Sequence, residues 1–166
     1  LCANDIISDF GYQDIVINPT DPNSSKYNFL DDVDDSELGE LVKILVPASS
    51  DETKGFAQTA QKLLRGIILH LRQKDGAVSL PSAYDYISEF KSGNKLIADI
   101  IEDGDDIPAT LMRQARLAGD NERFMASALS SLLSALEFLD NSIIANNMSR
   151  SDISLKTVLK QPNQAI

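Results

Sequence analysis

The chain has 166 residues, enough for one domain with a sizeable core, and its 43% hydrophobic and 24% charged content is ordinary for a globular protein. It holds no apolar run long enough to span a bilayer, and its first residues show no signal-peptide pattern. Cys2 and His70 stand alone in their types, too few for an internal disulfide or a Cys/His zinc site, and compatible with a reducing compartment. The formal net charge is −10 and it is lopsided: residues 1–53 carry twelve acids against two bases, whereas residues 54–166 carry thirteen of each. Phosphate binding needs clustered Lys and Arg, so duplex DNA is disfavoured as the main partner of the first third, and a basic peptide or protein is expected there instead. The chain opens on Leu1 rather than methionine, as a segment of a longer protein would.

Residues 1–9 read as the end of a helix closed by Gly11, and Tyr12–Ile17 as a short β-branched strand. A turn-rich loop, Asn18-Pro19-Thr20-Asp21-Pro22-Asn23-Ser24-Ser25, follows. Helix then dominates. The first, about 34–46, places Leu38, Leu41, Val42 and Leu45 on one face, with Asp34 as N-cap, Glu37 at the capping-box position and Pro47 as terminator. The next, about 53–74, gathers Phe56, Ala60, Leu63, Leu64, Ile67, Ile68 and Leu71 within roughly 140° of arc, and Asp75-Gly76 closes it. Shorter helices are predicted over about 79–91, 94–101 and 108–118, the last with Pro108 in its first turn. One long helix, about 121–146, is expected to span close to ~40 Å as the backbone of the bundle, and a short helix over about 154–160 ends the series. The sum is a mainly α fold: a single bundle of about seven helices with a short N-terminal strand or extended segment, without internal repeats or low-complexity tracts.

Two acidic clusters stand out. Asp31, Asp32, Asp34, Asp35, Glu37 and Glu40 place six carboxylates in ten residues, with Lys43 the nearest base. They are expected to attract a basic partner; helix-dipole complementarity is the competing explanation, and it covers Asp34, Asp35 and Glu37 but not the whole set. Glu102, Asp103, Asp105 and Asp106 surround Gly104, in a spacing that lacks the later Glu and the ligand alternation of a calcium loop, so they are read as a solvated loop and a second contact for basic partners. No metal site is expected. Lys54, Lys62, Arg65 and Arg72 fall within roughly 80° beside the apolar arc of their helix, and are the candidates for DNA contact, with Arg113, Arg116 and Arg123 as additions. A solvated flank is the competing reading, and no aromatic residues interleave to stack single-stranded bases. His70 is expected to be half-buried packing. With no second histidine, no nucleophile–base–orienter set can be assembled in the usual way, and no catalytic residue is assigned.

Ile17-Asn18-Pro19, Asp21-Pro22, Ser24 and Tyr27-Asn28-Phe29-Leu30, then Leu45-Val46-Pro47, then Phe56 to Leu64 with its alanines and paired leucines, form an ordered series of motifs. In these the chain resembles the TraG/TraD-like coupling proteins of conjugation and type IV secretion, whose helical domain follows an NP-x-DP-x-S loop. Phe29 and Ala57 depart from that family's usual Pro and Trp, and beyond about residue 75 the likeness is helical character alone. The resemblance implies a parent that is a membrane-anchored, homohexameric, RecA-like ATPase using ATP and Mg. The present chain has no G-x-x-x-x-G-K-[ST], so no cofactor is expected within it and no enzymatic activity of its own. Residues 1–30 would be an extended segment at the ATPase-domain edge, 31–150 the all-helical substrate-recognition domain, and 151–166 the return segment. The implied role is recognition of relaxase, relaxosome or effector cargo bearing basic secretion signals, at the cytoplasmic face of the bacterial inner membrane, by a piece that is monomeric in isolation. A DNA-contacting helical module, or a structural and adaptor-docking domain of the same ATPase, are the alternatives.

Overall fold

A computed structural model describes residues 15–158, apart from 49, 52, 104, 105, 119 and 120 and the side chain of residue 158. The described residues form eight α-helices and two 3-10 turns, with no strand among them. The helices are α1 (Leu38–Leu45), α2 (Lys54–Asp75), α3 (Leu80–Ser88), α4 (Gly93–Asp103), α5 (Asp106–Ala118), α6 (Glu122–Leu136), α7 (Ser142–Asn147) and α8 (Leu155–Val158), and the 3-10 turns are Phe29–Asp32 and Glu137–Asp140. The mainly α expectation holds.

The centre of the molecule is α2. Helices α1, α3, α5 and α6 pack around it, and α4 packs against α5 and α6. Its apolar stripe is therefore wider than a surface helix requires: the six consecutive residues from Gly66 to Leu71 are all buried, His70 among them. Leu63, Leu64, Ile67 and Ile68 have no exposed surface and meet Met112 of α5 and Leu132 and Leu136 of α6 in one continuous core. Gly66 sits where α5 crosses, since a Cβ there would lie 2.2 Å from Met112 Cε. The helix stops at Gly76, whose φ of 74° is favourable for glycine alone and lets its N–H reach Arg72 O at 2.9 Å.

Three expectations are corrected. The predicted strand does not form over its described part: residues 15–17 are irregular, Val16 and Ile17 are exposed, and Val16 O accepts from Ser25 N and Ser24 Oγ, closing a loop rather than a ladder. Residues 12–14 of that strand and the predicted helix 1–9 lie outside the described residues. The single long helix over 121–146 is broken after Leu136, because Asn141 adopts an extended backbone and its side chain accepts from Ile143 N and Ile144 N, starting α7 afresh. Finally, α1 begins at Leu38 rather than at residue 34: Glu37 Oε2 does accept from Asp34 N at 3.0 Å, but residues 35–37 remain turns.

Candidate functional surfaces

The segments at the two ends of the described chain are fastened to each other. In the Asn-Pro-x-Asp-Pro loop, Asn18 Oδ1 accepts from Thr20 N and Oγ1, and Asn18 N donates to Ser24 Oγ at 2.8 Å, which folds the loop on itself. Buried Asn147, at the end of α7, then donates through Nδ2 to Pro19 O and Asp21 O, and its carbonyl accepts from Tyr27 N. Lys26 N donates to Asp152 Oδ2 and its Nζ to Asn146 Oδ1, while Asn28 N donates to Ser151 Oγ. Asn28 is itself buried, and its Nδ2 donates to Val78 O and Asp31 Oδ1, each at 2.8 Å. Residues 15–30 and 151–157 are thus bonded into the helical body and to one another. Sequence reading missed Asn147 and Ser151, for an isolated Asn or Ser shows no pattern that distinguishes a buried anchor from a solvated one.

The six carboxylates of the first acidic segment all find partners within the chain. Asp31 Oδ2 accepts from Ser151 Oγ at 2.7 Å, and Asp32 accepts from Tyr27 Oη, Leu155 N and Ser154 Oγ. Asp34 lies 3.5 Å from Lys156 Nζ, Asp35 pairs with Arg72, Glu37 bonds Asp34 N, and Glu40 pairs with Lys43 at 2.6 Å. Desolvation, then the bond to Asp32, then the fields of Asp32 and Asp31 push the Tyr27 phenol up to about 12. Asp31, Asp32 and Asp34 thus join this segment to residues 151–156 and Asp35 joins it to α2, a clasp between the chain's two described ends, while Glu37 and Glu40 bond within their own stretch. Arg72, a DNA-contact candidate, is equally committed: Nη2 donates to Leu30 O at 2.6 Å and to Val33 O at 2.9 Å.

The second acidic cluster is less unified. Asp103 Oδ2 accepts from Lys74 Nζ at 3.2 Å, a bond that raises the lysine's pKa, and lies 3.9 Å from His70 Nε2. Asp106 is exposed in the first turn of α5, Glu102 is exposed at the end of α4, and Asp105 lies outside the described residues. Among the described residues no three potential metal ligands converge. His70 is 3% exposed, more buried than expected, and its ring lies 5.8 Å from that of Tyr86. Tyr86 donates to Asp99 at 2.7 Å, and burial and that bond raise its pKa.

Of the grooves among the described residues, two are lined by candidate charged residues. The larger, 620 Å³, runs between the start of α4 and α6 and reaches the 3-10 turn beyond. Gly93 opens α4 directly against Met125, where a Cβ would lie 2.7 Å from Met125 Cγ, and this close approach sets the groove's base. Leu129 and Leu133, one turn apart on α6, give it an apolar floor. Glu122, Glu137 and Asp140 stand on its rim against a single base, Lys91. Tyr84 donates to Asp140 at 2.8 Å and builds one wall, while Glu122 and Glu137 have no ion-pair partner among the described residues. The second groove, 570 Å³, lies between α1, α2 and α5 and is lined by Lys62 and Arg65. Lys54 is exposed at the start of α2, outside that lining.

Among the described residues no helix is long and apolar enough to cross a membrane. The family model of type IV secretory system conjugative DNA transfer proteins matches residues 9–163, and the chain belongs to that family. No curated protein and no solved structure matches the chain significantly.

Proposed function

We propose that the domain recognises protein cargo for conjugative transfer, and that the docking surface is the groove between α4 and α6 rather than the acidic segment 31–40. The observation that carries this reading is the groove's composition: an apolar floor of Met125, Leu129 and Leu133 beneath the carboxylates of Glu122 and Glu137, which no cation of the described chain occupies. Such a surface suits an amphipathic segment with an apolar face and basic flanks, the floor supplying affinity and the rim supplying orientation and faster encounter. In this reading the domain binds and does not catalyse. Nucleotide chemistry, with ATP and Mg, belongs to a hexameric parent anchored at the inner membrane, and the relaxase, relaxosome or effector cargo is presented from the cytoplasmic side. The family membership supports this setting in its broad outline.

The test is fluorescence anisotropy with a labelled Leu/Arg amphipathic peptide. Glu122→Gln/Glu137→Gln is expected to weaken binding several-fold and to flatten its salt dependence, as screening predicts for exposed charges. Asp34→Asn/Asp35→Asn is expected to leave affinity unchanged. The opposite pattern, with affinity lost from the acidic segment alone, would return the docking surface to residues 31–40.

A further inference from the structure

The groove between α4 and α6 also constrains the shape of what fills it, an inference that rests on the cargo reading of that groove. Glu122, Ala126, Leu129, Leu133 and Glu137 all line it, and they follow one another along α6 at steps of four, three, four and four residues. At about 100° per residue these positions fall within roughly 80° of arc, so they form one straight seam about 22 Å long. Glu137 keeps helical dihedrals, φ −54° and ψ −27°, so the seam reaches it unbroken. The ends of the seam are exposed carboxylates, its middle is a pair of half-buried leucines, and exposed Ala126 lies between. We infer that the groove takes a four-turn α-helix with a basic residue at each end of a narrow apolar stripe, the two cations roughly fifteen residues apart.

Backbone hydrogen bonding selects a helix over an extended strand. Among the described residues there is no strand edge with which a peptide backbone could pair. The backbone of α6 is spent in its own ladder, and on the facing wall Ser92 O already accepts from Lys95 N and Leu96 N. An extended peptide laid over the leucines would leave N–H and C=O groups without partners, whereas a helix satisfies them internally. Ala126 is small, so a second helix can approach α6 closely and set its own apolar side chains beside Leu129 and Leu133. Glu122 and Glu137 have no ion-pair partner among the described residues. They reward a cation at each end of the incoming helix, while a cation at its middle would be set over leucine without a partner. The seam therefore selects for the order basic, apolar, basic and for the length that separates the two charges.

The test uses three synthetic peptides of equal composition with the whole chain, followed by anisotropy and circular dichroism. The first carries arginines fifteen residues apart about a leucine stripe of helical period. The second carries them seven residues apart, the spacing that spans about 22 Å in an extended chain at roughly 3.3 Å per residue. The third is the first with its central residue exchanged for a proline from one end. The first is expected to bind at least about tenfold tighter than the third, because proline breaks the helix, to bind tighter than the second, and to gain helical signal on binding. Ala126→Arg, which sets bulk and a cation in the seam from an exposed position, is expected to weaken the first peptide about tenfold and to leave thermal unfolding unchanged. Equal affinity for the first and third peptides, tighter binding of the second, or binding without a gain in helicity overturns the helix, and the groove reading then stands alone if Glu122→Gln/Glu137→Gln still weakens binding. Binding indifferent to both folded variants, or no binding by any of the three, removes the groove reading and this inference with it.

Discussion

Replacing Asn28 by aspartate changes almost no volume and tests whether the clasp is held by the polarity of one buried amide. In the native chain Asn28 Nδ2 donates to Val78 O and Asp31 Oδ1, and Oδ1 accepts from Leu30 N at 3.3 Å. Asn28→Asp turns the donor into an oxygen facing a carbonyl and a carboxylate. Each bond removed is worth about 1 kcal/mol, and stranding Val78 O adds on the order of 1–3 kcal/mol. A buried carboxylate without a cation raises the total to about 3–5 kcal/mol. For a chain of this size, such a loss lowers Tm by on the order of 10 °C. The sign of the pH dependence follows from linkage. The new carboxyl is pushed above its unfolded pKa, so the native state binds more protons than the unfolded state between the two values, and stability relative to the parent falls as pH rises through that window. Urea unfolding is therefore expected to show a large deficit at about pH 7 that shrinks toward about pH 5. Asn28→Ala, which strands the same carbonyl without adding charge, is expected to cost about 2 kcal/mol with no such pH trend. An Asn28→Asp deficit below about 1 kcal/mol, or one indifferent to pH, would refute the clasp as described.

Two further perturbations probe the same region. Arg72→Met removes both bonds to Leu30 O and Val33 O and is expected to cost about 2–4 kcal/mol, whereas Asp35→Asn removes only an exposed ion pair and is expected to cost less than about 1 kcal/mol; equal costs in urea unfolding would refute the claim that the carbonyl contacts dominate. The Tyr27 phenol, held at about 12, ionises later than an unfolded tyrosine, so its contribution is intact below about pH 10 and is lost as pH climbs through the folded value. Tyr27→Phe should remove one late-ionising phenolate from the absorbance titration and flatten the alkaline fall in stability, and an unchanged alkaline limb would contradict that assignment.

What the sequence made legible was periodic. Helix α2 was readable to within one residue at each end because seven apolar residues share an arc and glycine is the residue that adopts the left-handed geometry after Asp75 most easily. The break at Asn141 was not, since the apolar pattern of α6 continues through Leu139 and Ile143, and only local capping by the Asn side chain decides against an unbroken helix. The start of α1 was misplaced because its capping signal is real but acts across a turn. Of the candidate surfaces, the cation stripe of α2 was visible, but its division was not. Arg72 is consumed by carbonyls of the 3-10 segment while Lys62 and Arg65 remain in a groove, and that distinction depends on where α1 lies. The α4–α6 groove left no trace, for its walls come from helices that share no pattern.

Uneven charge along a sequence is a weak guide to charge on a surface. Asp31 and Asp32 are separated from Ser151 and Leu155 by well over a hundred residues, and pairing over that range cannot be inferred from composition. The first third of this chain is acidic, yet Asp31, Asp32, Asp34 and Asp35 hold together segments that must return to one place. Closing so long a loop costs chain entropy that grows slowly with length, so several modest bonds suffice where one would not. The same logic points to Glu122 and Glu137 as the more informative charges. They sit in a stretch whose formal charge is balanced and have no ion-pair partner among the described residues, though Glu122 also complements the first turn of α6; in the proposed reading, carboxylates free of an internal cation beside a half-buried leucine floor are better placed to meet a basic partner than Asp34, Asp35 and Glu40, which already have one.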